Sequence, residues 1–586
     1  MNDHKRSQAI RALSLFVLVF GLSLAPASSA HAATLTVNSL NDTDDGHCTV
    51  SNCTLREAIN AANAASAADL IRFSINGTIN LGSVLPAITS AGGDLTVDGA
   101  GHSLTISGQD AHRVFYVQSG ADLTLQNLEI HDGYVYEGGG ILNQGALTIL
   151  DSELVGNRAE NHGGAIYNSG TLSLTNTNFT SNEAVFGSGG ALYIDDGTVA
   201  IDDCLFQLND AALSGGAIYN NYESPGHEGD LTIVGTNFNV NSATNVNGGA
   251  IYNAGDLDID RASFGYNSAE DYGGALYNYR GYLHISSTAF AYNSSEVSSG
   301  GALYVYQASD FSYIEDSAFM GNDAHLDGGG FYLTYPRLSF MNTEFSENWA
   351  DRNGGAGYNI AGELNLIDCN IESNHADQDG GGIYNHEDMT ISRSAFLDNQ
   401  ALGDGGGVYH STGSVYSIID STTFHGNDAD QGGGIFSDAS LSIRNCTFSS
   451  NSADPGGGGA VYGHYLTTLI NSILAYSTSG GNCSTSPEPS NGGNNIDSGA
   501  TCNFYPALGS MSNTNPQLGA LQDNGGGTQS MLPLPGSPAI DAVIYNAPNN
   551  CPSLDQRGYP RPFGDYCDIG AIEAYFRIYL PLAMSD

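Results

Sequence analysis

The hexapeptide GGAIYN at Gly163–Asn168 is the stretch that decides the fold. It returns unchanged at Gly215–Asn220 and at Gly248–Asn253, and GGALYN stands at Gly273–Asn278. Aligned copies follow one another every 25 to 28 residues, with one longer interval of 33. A short motif repeated at this period is typical of a solenoid, in which each repeat is one supersecondary unit. The third position of the motif falls at Gly140, Ala165, Ala191, Ala217, Ala250, Ala275, Ala302, Gly330, Ala356, Gly382, Gly407, Gly434 and Ala460.

A second motif follows each hexapeptide, as in LSLTNTNFTSN at Leu172–Asn182 and LSIRNCTFSSN at Leu441–Asn451. Apolar and polar residues alternate, an aromatic residue follows, and Asn stands three positions later. Alternation with period two predicts short strands. One repeat cannot bury its own apolar face, so neighbouring repeats must stack. We therefore predict an all-β parallel β-helix in which equivalent residues lie about 4.8 Å apart.

Stacking predicts a structural role for each recurring position of the repeat, which we call the Phe slot, the Asn slot and the Gly-Gly pair. The Phe slot predicts a column of rings in the core, and the Asn slot predicts a ladder of side-chain amides joined by hydrogen bonds. The Gly-Gly pair predicts a corner that needs either a positive φ or a close approach of two backbones.

The composition excludes several classes of protein. The chain has 586 residues with 76 Gly but only 17 Pro, and 41% of its residues are hydrophobic, which argues against a disordered or collagen-like chain. Acidic residues number 62 against 16 basic ones, giving a net charge of -46. Such a surface repels nucleic acid, so nucleic acid is not an expected partner.

The N-terminus predicts export. A basic segment ending at Arg11, the apolar run Ala12–Leu24 and the small-residue site Ala30-His31-Ala32 together predict a signal peptide over residues 1–32. A retained signal anchor is the alternative. No later segment has the length of a membrane-spanning helix. The mature protein is expected to be secreted or associated with the cell surface, and it contains no Lys because the only one is Lys5.

The nine cysteines are compatible with an oxidising compartment. Six of them lie outside the repeats and close together in sequence, which predicts the disulfides Cys48-Cys53, Cys483-Cys502 and Cys551-Cys567. The other three, Cys204, Cys369 and Cys446, each stand two residues before the aromatic slot and several repeats apart. They are predicted to be buried free thiols, because a disulfide needs Cα atoms within about 7 Å.

Four further segments complete the expected organisation. Residues 33–70 form an N-terminal cap, in which TLREAINAANAA at Thr54–Ala65 predicts a short helix that covers the open end of the β-helix. Residues 71–476 form the repeats. Residues 477–574, rich in Asn, Gly, Ser and Pro, predict a disulfide-tied C-terminal cap. Residues 575–586 form a tail, interpreted as a last edge strand or a sorting signal.

Several of these motifs resemble known families. The paired GGA[I/L/V] and FxxN motifs over Gly138–Asn451 are similar to the repeats of chlamydial polymorphic outer-membrane proteins, which implies a right-handed β-helix of the pectin-lyase-like type. CTLREAI at Cys53–Ile59 resembles the CSLREA-domain signature. DNGGGT at Asp523–Thr528, LPGSPAID at Leu534–Asp541 and the segment Asp555–Glu573 resemble the choice-of-anchor Q domain. These resemblances imply export and surface display, and the chlamydial proteins are similar to autotransported adhesins, but no known activity is implied. The predicted function is adhesion, glycan binding or surface display.

The alternative function is a polysaccharide lyase or a glycoside hydrolase, because many exported β-helices degrade polysaccharides. Lyases that act on acidic sugars need cationic groups, and the mature chain has no Lys and scattered Arg residues. Hydrolases need two carboxylates at a defined separation. Adjacent acids such as Asp202-Asp203 are too common in this chain to identify such a pair, so no catalytic residue is assigned.

An acidic residue stands in nearly every turn between the Asn slot and Gly-Gly. Stacking brings these residues within one or two coils of each other. They form either a solvated edge that resists aggregation or a calcium-binding stripe, since Ca²⁺ takes clustered carboxylates. The candidate calcium ligands are Asp323, Asp327, Asp351, Asp377, Asp379, Asp404, Asp428 and Asp430.

The fifth position of the hexapeptide is almost always Tyr, and its neighbour is aliphatic. Adjacent residues of a strand face opposite sides, so inward aliphatics predict an outward column of tyrosines. This column is either a binding stripe for a glycan or a cell-surface component, or a stacked ladder that only stabilises the coils. The tyrosine ladder comprises Tyr167, Tyr193, Tyr219, Tyr252, Tyr277, Tyr304, Tyr332, Tyr358, Tyr384 and Tyr409.

Overall fold

The chain forms a parallel β-solenoid of about 16 coils, as the repeats predict. This computed structural model describes residues 32–221, 230–309, 312–413, 416–463, 467–484, 488–544, 551–564 and 566–575. The predicted signal peptide, most of the loop insertion Tyr222–Asp230 and nearly all of the C-terminal tail lie outside these described residues.

Each regular coil crosses four stacks of parallel strands in a fixed order. The coil that begins at Gly163 contributes Ile166–Asn168 to stack 1, Thr171–Thr175 to stack 2, Asn178–Thr180 to stack 3 and Glu183–Ala184 to stack 4. The strands of successive coils pair in register, so that each repeat position lies directly above its equivalent.

The strand bounds show how regular the stacks are. Stack 1 contains Phe115–Val117, Ile141–Asn143, Ile166–Asn168, Leu192–Ile194, Ile218–Asn220, Ile251–Asn253, Leu276–Asn278, Leu303–Val305, Ile383–Asn385, Val408–His410, Ile435–Ser437 and Val461–Gly463. Stack 2 contains Thr34–Val37, Asp69–Phe73, Leu95–Asp98, Asp122–Gln126, Ala146–Leu150, Thr171–Thr175, Val199–Asp202, Leu231–Val234, Leu257–Asp260, Leu283–Ser286, Ser312–Glu315, Met389–Ser392, Ser417–Asp420, Leu441–Arg444, Thr467–Ile470 and Ser490–Gly493. The long strands Phe331–Met341 and Gly357–Ile367 belong to both stacks.

The other two stacks consist of shorter strands. Stack 3 contains Gly77–Asn80, Leu104–Ser107, Glu129–His131, Glu153–Val155, Asn178–Thr180, Leu205–Gln207, Asn237–Asn239, Ser263–Gly265, Ala289–Ala291, Ala318–Met320, Glu344–Ser346, Asn370–Glu372, Ala395–Leu397, Thr423–His425, Thr447–Ser449, Ile473–Ala475 and Ile496–Asp497. Stack 4 contains Tyr134–Val135, Arg158–Ala159, Glu183–Ala184, Asp210–Ala211, Ser242–Ala243, Ser268–Ala269, Ser294–Ser295, Asp323–Ala324, Trp349–Ala350, His375–Ala376 and Gln400–Ala401. Two 3-10 turns lie at Ser90–Gly92 and Pro506–Leu508.

The core is one continuous apolar cluster along the inside of the coils. Phe179, Phe206 and Phe238 are fully buried, and their ring centroids lie 4.6 and 5.1 Å apart. This column confirms the predicted role of the aromatic slot. Full burial of one such ring contributes about 2 to 3 kcal/mol to the free energy of unfolding.

The Gly-Gly corner uses both properties that the sequence predicts. Gly163 has a φ of +65°, in the left-handed region that glycine adopts without strain. A Cβ on Gly164 would lie 2.1 Å from the carbonyl oxygen of Gly190 in the next coil. The first glycine therefore makes the turn, and the second permits the coils to approach each other closely.

The Asn slot forms the predicted ladder inside the turn between stacks 3 and 4. The side-chain oxygen of Asn209 accepts hydrogen bonds from the backbone N–H and from Nδ2 of Asn182, both at 3.0 Å. The same Nδ2 donates to the carbonyl of Leu154 at 2.9 Å. This pattern runs from Asn157 to Asn451, so buried backbone groups at each turn are paired by side-chain amides.

The N-terminal end is covered by helix α1, Leu55–Asn63, as predicted. Thr54 caps it: its hydroxyl accepts the N–H of Glu57, while the Glu57 carboxylate accepts the N–H of Thr54 at 2.8 Å. This reciprocal capping box satisfies two helix-terminal donors. Leu55 and Ile59 are buried in the same core as the coils.

The cysteine predictions are confirmed. The three disulfides join Cys48 to Cys53, Cys483 to Cys502 and Cys551 to Cys567. Cys204, Cys369 and Cys446 are buried and free. Burial raises the pKa of the Cys204 thiol to about 11 and that of Cys369 to about 12.

The C-terminal region adds further coils to the solenoid and then folds back along its side. Parallel strands continue as far as Ile496–Asp497, beyond the predicted end of the repeats at residue 476. Residues 515–575, which we call the C-terminal arm, then turn back along the outer face of stack 3. The arm contains the antiparallel pair Leu518–Gln522 and Ser530–Pro533 and the short pair Val543–Ile544 and Tyr566–Cys567.

Gln556 anchors the arm on the solenoid. Its Nε2 donates to the carbonyl of Ser394 at 3.1 Å, and its Oε1 accepts from the hydroxyl of Thr423 at 2.6 Å. Farther along, the N–H of Ala571 donates to the hydroxyl of Thr447 at 3.0 Å. The arm thus covers the last coils laterally, a position that the prediction of an end cap did not include.

Candidate functional site

The tyrosine ladder stands on the outer side of stack 1 as a column of stacked rings. Consecutive ring centroids lie 4.6 to 5.2 Å apart, from Tyr167 through Tyr409, and the column continues through Phe436 to Tyr462. The outward direction predicted from alternation is therefore observed.

The ladder is nevertheless largely covered. Tyr277 and Tyr304 are each only 8% exposed. Tyr272, from the turn before Gly-Gly, packs 4.6 Å from the ring of Tyr304. Burial raises the pKa of the Tyr277 hydroxyl. Because neighbouring rings occupy both faces of each ring, the ladder offers mainly ring edges and hydroxyls, and its role in binding stays a prediction.

The candidate calcium ligands separate into different columns. Asp323 lies in stack 4 and pairs with Trp349, while Asp351 and Asp377 each directly follow a stack 4 strand. Asp351 lies 3.1 Å from Nδ1 of His325, and Asp377 lies 2.9 Å from Nε2 of His375. Asp428 occupies the stack 4 position beside Gln400, and Asp430 stands two residues later.

Asp327, Asp379 and Asp404 occupy a further column, immediately before Gly-Gly. Oδ1 of Asp379 accepts the backbone N–H of Asp404 at 2.9 Å, and Asp404 accepts Nε2 of Gln431 at 3.2 Å. Burial and the neighbouring Asp379 raise the pKa of Asp404 to about 6. These acids serve as acceptors that link one coil to the next.

In the part of the chain that the structure describes, no three His, Cys, Asp or Glu side chains are grouped so that they could hold a metal ion. The acidic stripe is thus distributed over several columns rather than gathered around one point. Calcium binding by these residues stays a prediction.

An open trough on the outer face of stack 3 brings together small, polar and aromatic side chains. Most of the side chains on its floor are small, and they lie on three successive strands: Ser263, Gly265, Ala289, Ala291 and Ala318. Met320, which is 40% exposed at the end of the third strand, is the large exception. The C-terminal arm closes one end, where a Cβ on Gly527 would lie 3.5 Å from Oδ1 of Asn342. A cavity of about 470 Å³ lies at this end.

One wall of the trough is polar and follows the corner between stacks 2 and 3. Nδ2 of Asn342 donates to Oδ1 of Asp316 at 2.6 Å. Arg393 binds Asp368 with both Nε and Nη2, at 2.8 and 2.7 Å. Glu344 and Asn370 add a further carboxylate and amide to the cavity lining.

The opposite rim is apolar and exposed. Tyr266 and Tyr292 are 61% and 46% exposed, and their rings stack at 5.2 Å. Val240 precedes them in the same column with a φ of +54°, a conformation that costs a β-branched residue free energy. Large side chains thus stand in solvent at this position. The preceding coil also carries a large exposed residue here, Leu208, whereas the following coil carries Gly321.

Sequence reasoning missed the trough. The floor residues occupy ordinary outward positions of stack 3, and only the change from Asn178 and Asn237 to Ala289 and Ala318 distinguishes these coils. It also missed the contact of His284, whose Nδ1 lies 2.9 Å from Oδ1 of Asp258 in the adjacent coil. Both features depend on which side chains of neighbouring coils lie side by side. An alignment of the repeats would have revealed them only if each position had been compared from one repeat to the next.

Comparison with known proteins gives one short match. The family model of the Chlamydia polymorphic membrane protein repeat matches residues 445–464. This segment contains the Phe448 and Asn451 slots and the following Gly458-Gly459 corner. No curated protein matches the chain at a significant level.

The matched repeat, the solenoid and the disulfides together indicate a repeat protein of the surface type, with disulfides suited to an extracellular environment. None of the helices in the described residues has the length and apolar character needed to cross a membrane. The likenesses to the CSLREA and choice-of-anchor Q families stay predictions.

Proposed function

We propose that this protein is a secreted or cell-surface solenoid that binds glycan chains in the trough of stack 3. The observation that carries the proposal is the trough itself: a floor of mostly small side chains between a polar wall and an exposed rim of tyrosines. Sugars present both apolar C–H faces and hydroxyl groups. Aromatic residues and convergent carboxylate and amide groups are the usual complement to such ligands.

The structure of the floor favours a glycan over an added peptide strand. Strand addition requires an unpaired sheet edge. On the trough floor, the N–H of Ala289 donates to Ala262 and the N–H of Ala318 donates to Thr288, at 3.1 and 2.9 Å. These backbone groups already pair with the preceding coil, which leaves side chains to make the contacts.

The test is a glycan array followed by measured affinities for the protein from residue 33 onward. Replacing both Tyr266 and Tyr292 by Ala should weaken binding of the captured glycan at least about fivefold, since apolar ring surface is lost on the rim. Tyr136→Ala is the matched control, because this tyrosine is 62% exposed but lies outside the trough. Unchanged binding by the double variant would exclude the trough. Depolymerisation of the bound polysaccharide would instead support the alternative, a lyase or hydrolase.

A further inference from the structure

The charge of the trough specifies its ligand further. In the described part of the chain, the residues lining the cavity include three carboxylates, of Asp316, Glu344 and Asp368, and no Lys or Arg side chain. Arg393 neutralises Asp368 from outside the cavity. Asp316 and Glu344 therefore leave the site with negative charge, within a protein whose net charge is already -46.

The hydrogen-bonding groups of the cavity also favour a ligand that carries donors and positive charge. Ionised carboxylates are acceptors only, so a ligand must bring the donors. The amide of Asn342 already directs its Nδ2 to Asp316. An acceptor-rich cavity of this kind favours a ligand with N–H and O–H groups, and positive charge adds electrostatic complementarity. The exposed rings of Tyr266 and Tyr292 can also attract a cation.

We propose that the trough selects glycans that carry free amino groups, such as polymers of glucosamine, over their neutral or acidic counterparts. This inference rests on the proposed glycan-binding function and specifies the chemistry of that same site. An ammonium group near Asp316 and Glu344 replaces the missing counter-charge, while the sugar rings lie along the floor of small side chains.

The experiment compares two oligosaccharides of equal length, one of glucosamine and one of N-acetylglucosamine, by titration calorimetry in mildly acidic, low-salt buffer. The glucosamine oligomer should bind about tenfold more tightly, as expected for two partly exposed charge pairs, and added salt should reduce the difference. The double variant D316N/E344Q should lose this preference.

The matched control variant is D151N/E153Q. Asp151 pairs with Nδ2 of Asn176 at 2.6 Å, as Asp316 pairs with Asn342, and Glu153 occupies the outward position of Glu344, but both stand in a coil outside the trough. This variant should keep the full preference. Circular dichroism of both variants should match that of the parent protein.

The outcomes separate the two proposals. If both oligomers bind equally tightly and the Tyr266 and Tyr292 double variant weakens both, the amine selectivity is overturned but the glycan-binding proposal stands. Absence of binding to every glycan on the array overturns both. A preference that survives in D316N/E344Q, or equally tight binding of an oligo-lysine peptide, means that the general negative charge of the surface attracts any polycation, and the selectivity fails.

Discussion

Asn267 and Asn293, one coil apart, are joined by two hydrogen bonds to a single oxygen. The backbone N–H and Nδ2 of Asn267 both donate to Oδ1 of Asn293 at 3.0 Å. The same Nδ2 donates to the carbonyl of Phe238 at 3.0 Å. One amide thus pairs groups from three successive coils, and both side chains are fully buried.

Replacing Asn267 with Ala should therefore destabilise the solenoid by about 2 to 4 kcal/mol, because several buried groups lose their partners at once. The measurement is the unfolding midpoint in denaturant. Asn178→Ala is the matched control, since Asn178 stands on the outward side of stack 3, and it should change stability by less than about 0.5 kcal/mol. Equal effects of the two substitutions would contradict a structural role for the ladder.

Loss of a ring from the tyrosine ladder should lower the stability of the protein more than loss of a hydroxyl does. Tyr277 stacks on Tyr252 at 5.1 Å and on Tyr304 at 5.0 Å. Tyr277→Ala should cost about 2 kcal/mol by removing these contacts, whereas Tyr277→Phe should cost less than about 1 kcal/mol. The two melting temperatures provide the measurement.

The same ladder provides a test of where the ligand binds. Replacing Tyr252, Tyr277, Tyr304 and Tyr332 together with Phe keeps the column but removes four hydroxyls. Glycan affinity should be unchanged if the trough is the site. A marked loss of affinity in this folded variant would favour the ladder as the binding surface.

The three repeat cysteines should be unreactive until the protein unfolds. Burial holds the pKa of Cys369 near 12 and that of Cys204 near 11, and it raises the pKa of Cys446 as well, so the reactive thiolate is rare at neutral pH. Iodoacetamide should label none of them in the native protein and all three after denaturation. Mass mapping without reductant should also find three local disulfides, and a disulfide between two repeat cysteines would disprove the coil alignment.

Asp404 should make stability depend on pH. Its pKa in the folded protein is about 6, above the ordinary value, so the native state binds the proton more tightly than the unfolded chain does. Its contribution therefore favours the native state at low pH and is lost as the pH rises from about 4 to about 6. The resulting change in the free energy of unfolding between pH 4 and pH 7 is below about 1 kcal/mol, because the carboxylate is only half buried.

Asp404→Asn should remove the free-energy cost of holding an ionised, half-buried carboxylate at neutral pH, while it keeps an acceptor for Gln431. Its melting temperature should exceed that of the parent protein at pH 7 and match it at pH 4. Asp351→Asn serves as the control at an exposed position. A higher melting temperature of Asp404→Asn at both pH values would show that the effect does not come from titration of this carboxyl.

Gln556 should control the attachment of the C-terminal arm. Besides Ser394 and Thr423, it binds the hydroxyl of Thr528 and the carbonyl of Gln529, both at 3.0 Å. Gln556→Ala should leave these buried groups unpaired and weaken the local attachment by about 2 to 4 kcal/mol. Limited proteolysis should then cut the arm earlier than it does in the parent protein. The exposed Gln522→Ala should leave the rate unchanged, and equal protection of both variants would contradict the anchoring role.

The repeat itself determined most of the fold. The spacing of Gly163-Gly164, Phe179 and Asn182 within one coil was enough to predict the corner, the core column and the amide ladder. These features follow from the sequence because each coil makes the same local turn and meets an identical copy above it. The capping helix and the disulfides were predictable for a different reason: their signals are local, and the paired cysteines lie only 5, 19 and 16 residues apart in sequence.

Only the tertiary structure decided which surfaces are open. Gln556 meets Thr423 across 133 residues of sequence, and no repeat period encodes that contact. Whether Tyr277 is covered depends on Tyr272 and the adjacent turns. The trough exists because the loop of the C-terminal arm that contains Gly527 packs beside Asn342 and leaves the small residues around Ala289 and Ala318 uncovered. Such contacts join segments that share no repeated register, so their positions follow from three-dimensional packing rather than from the sequence pattern.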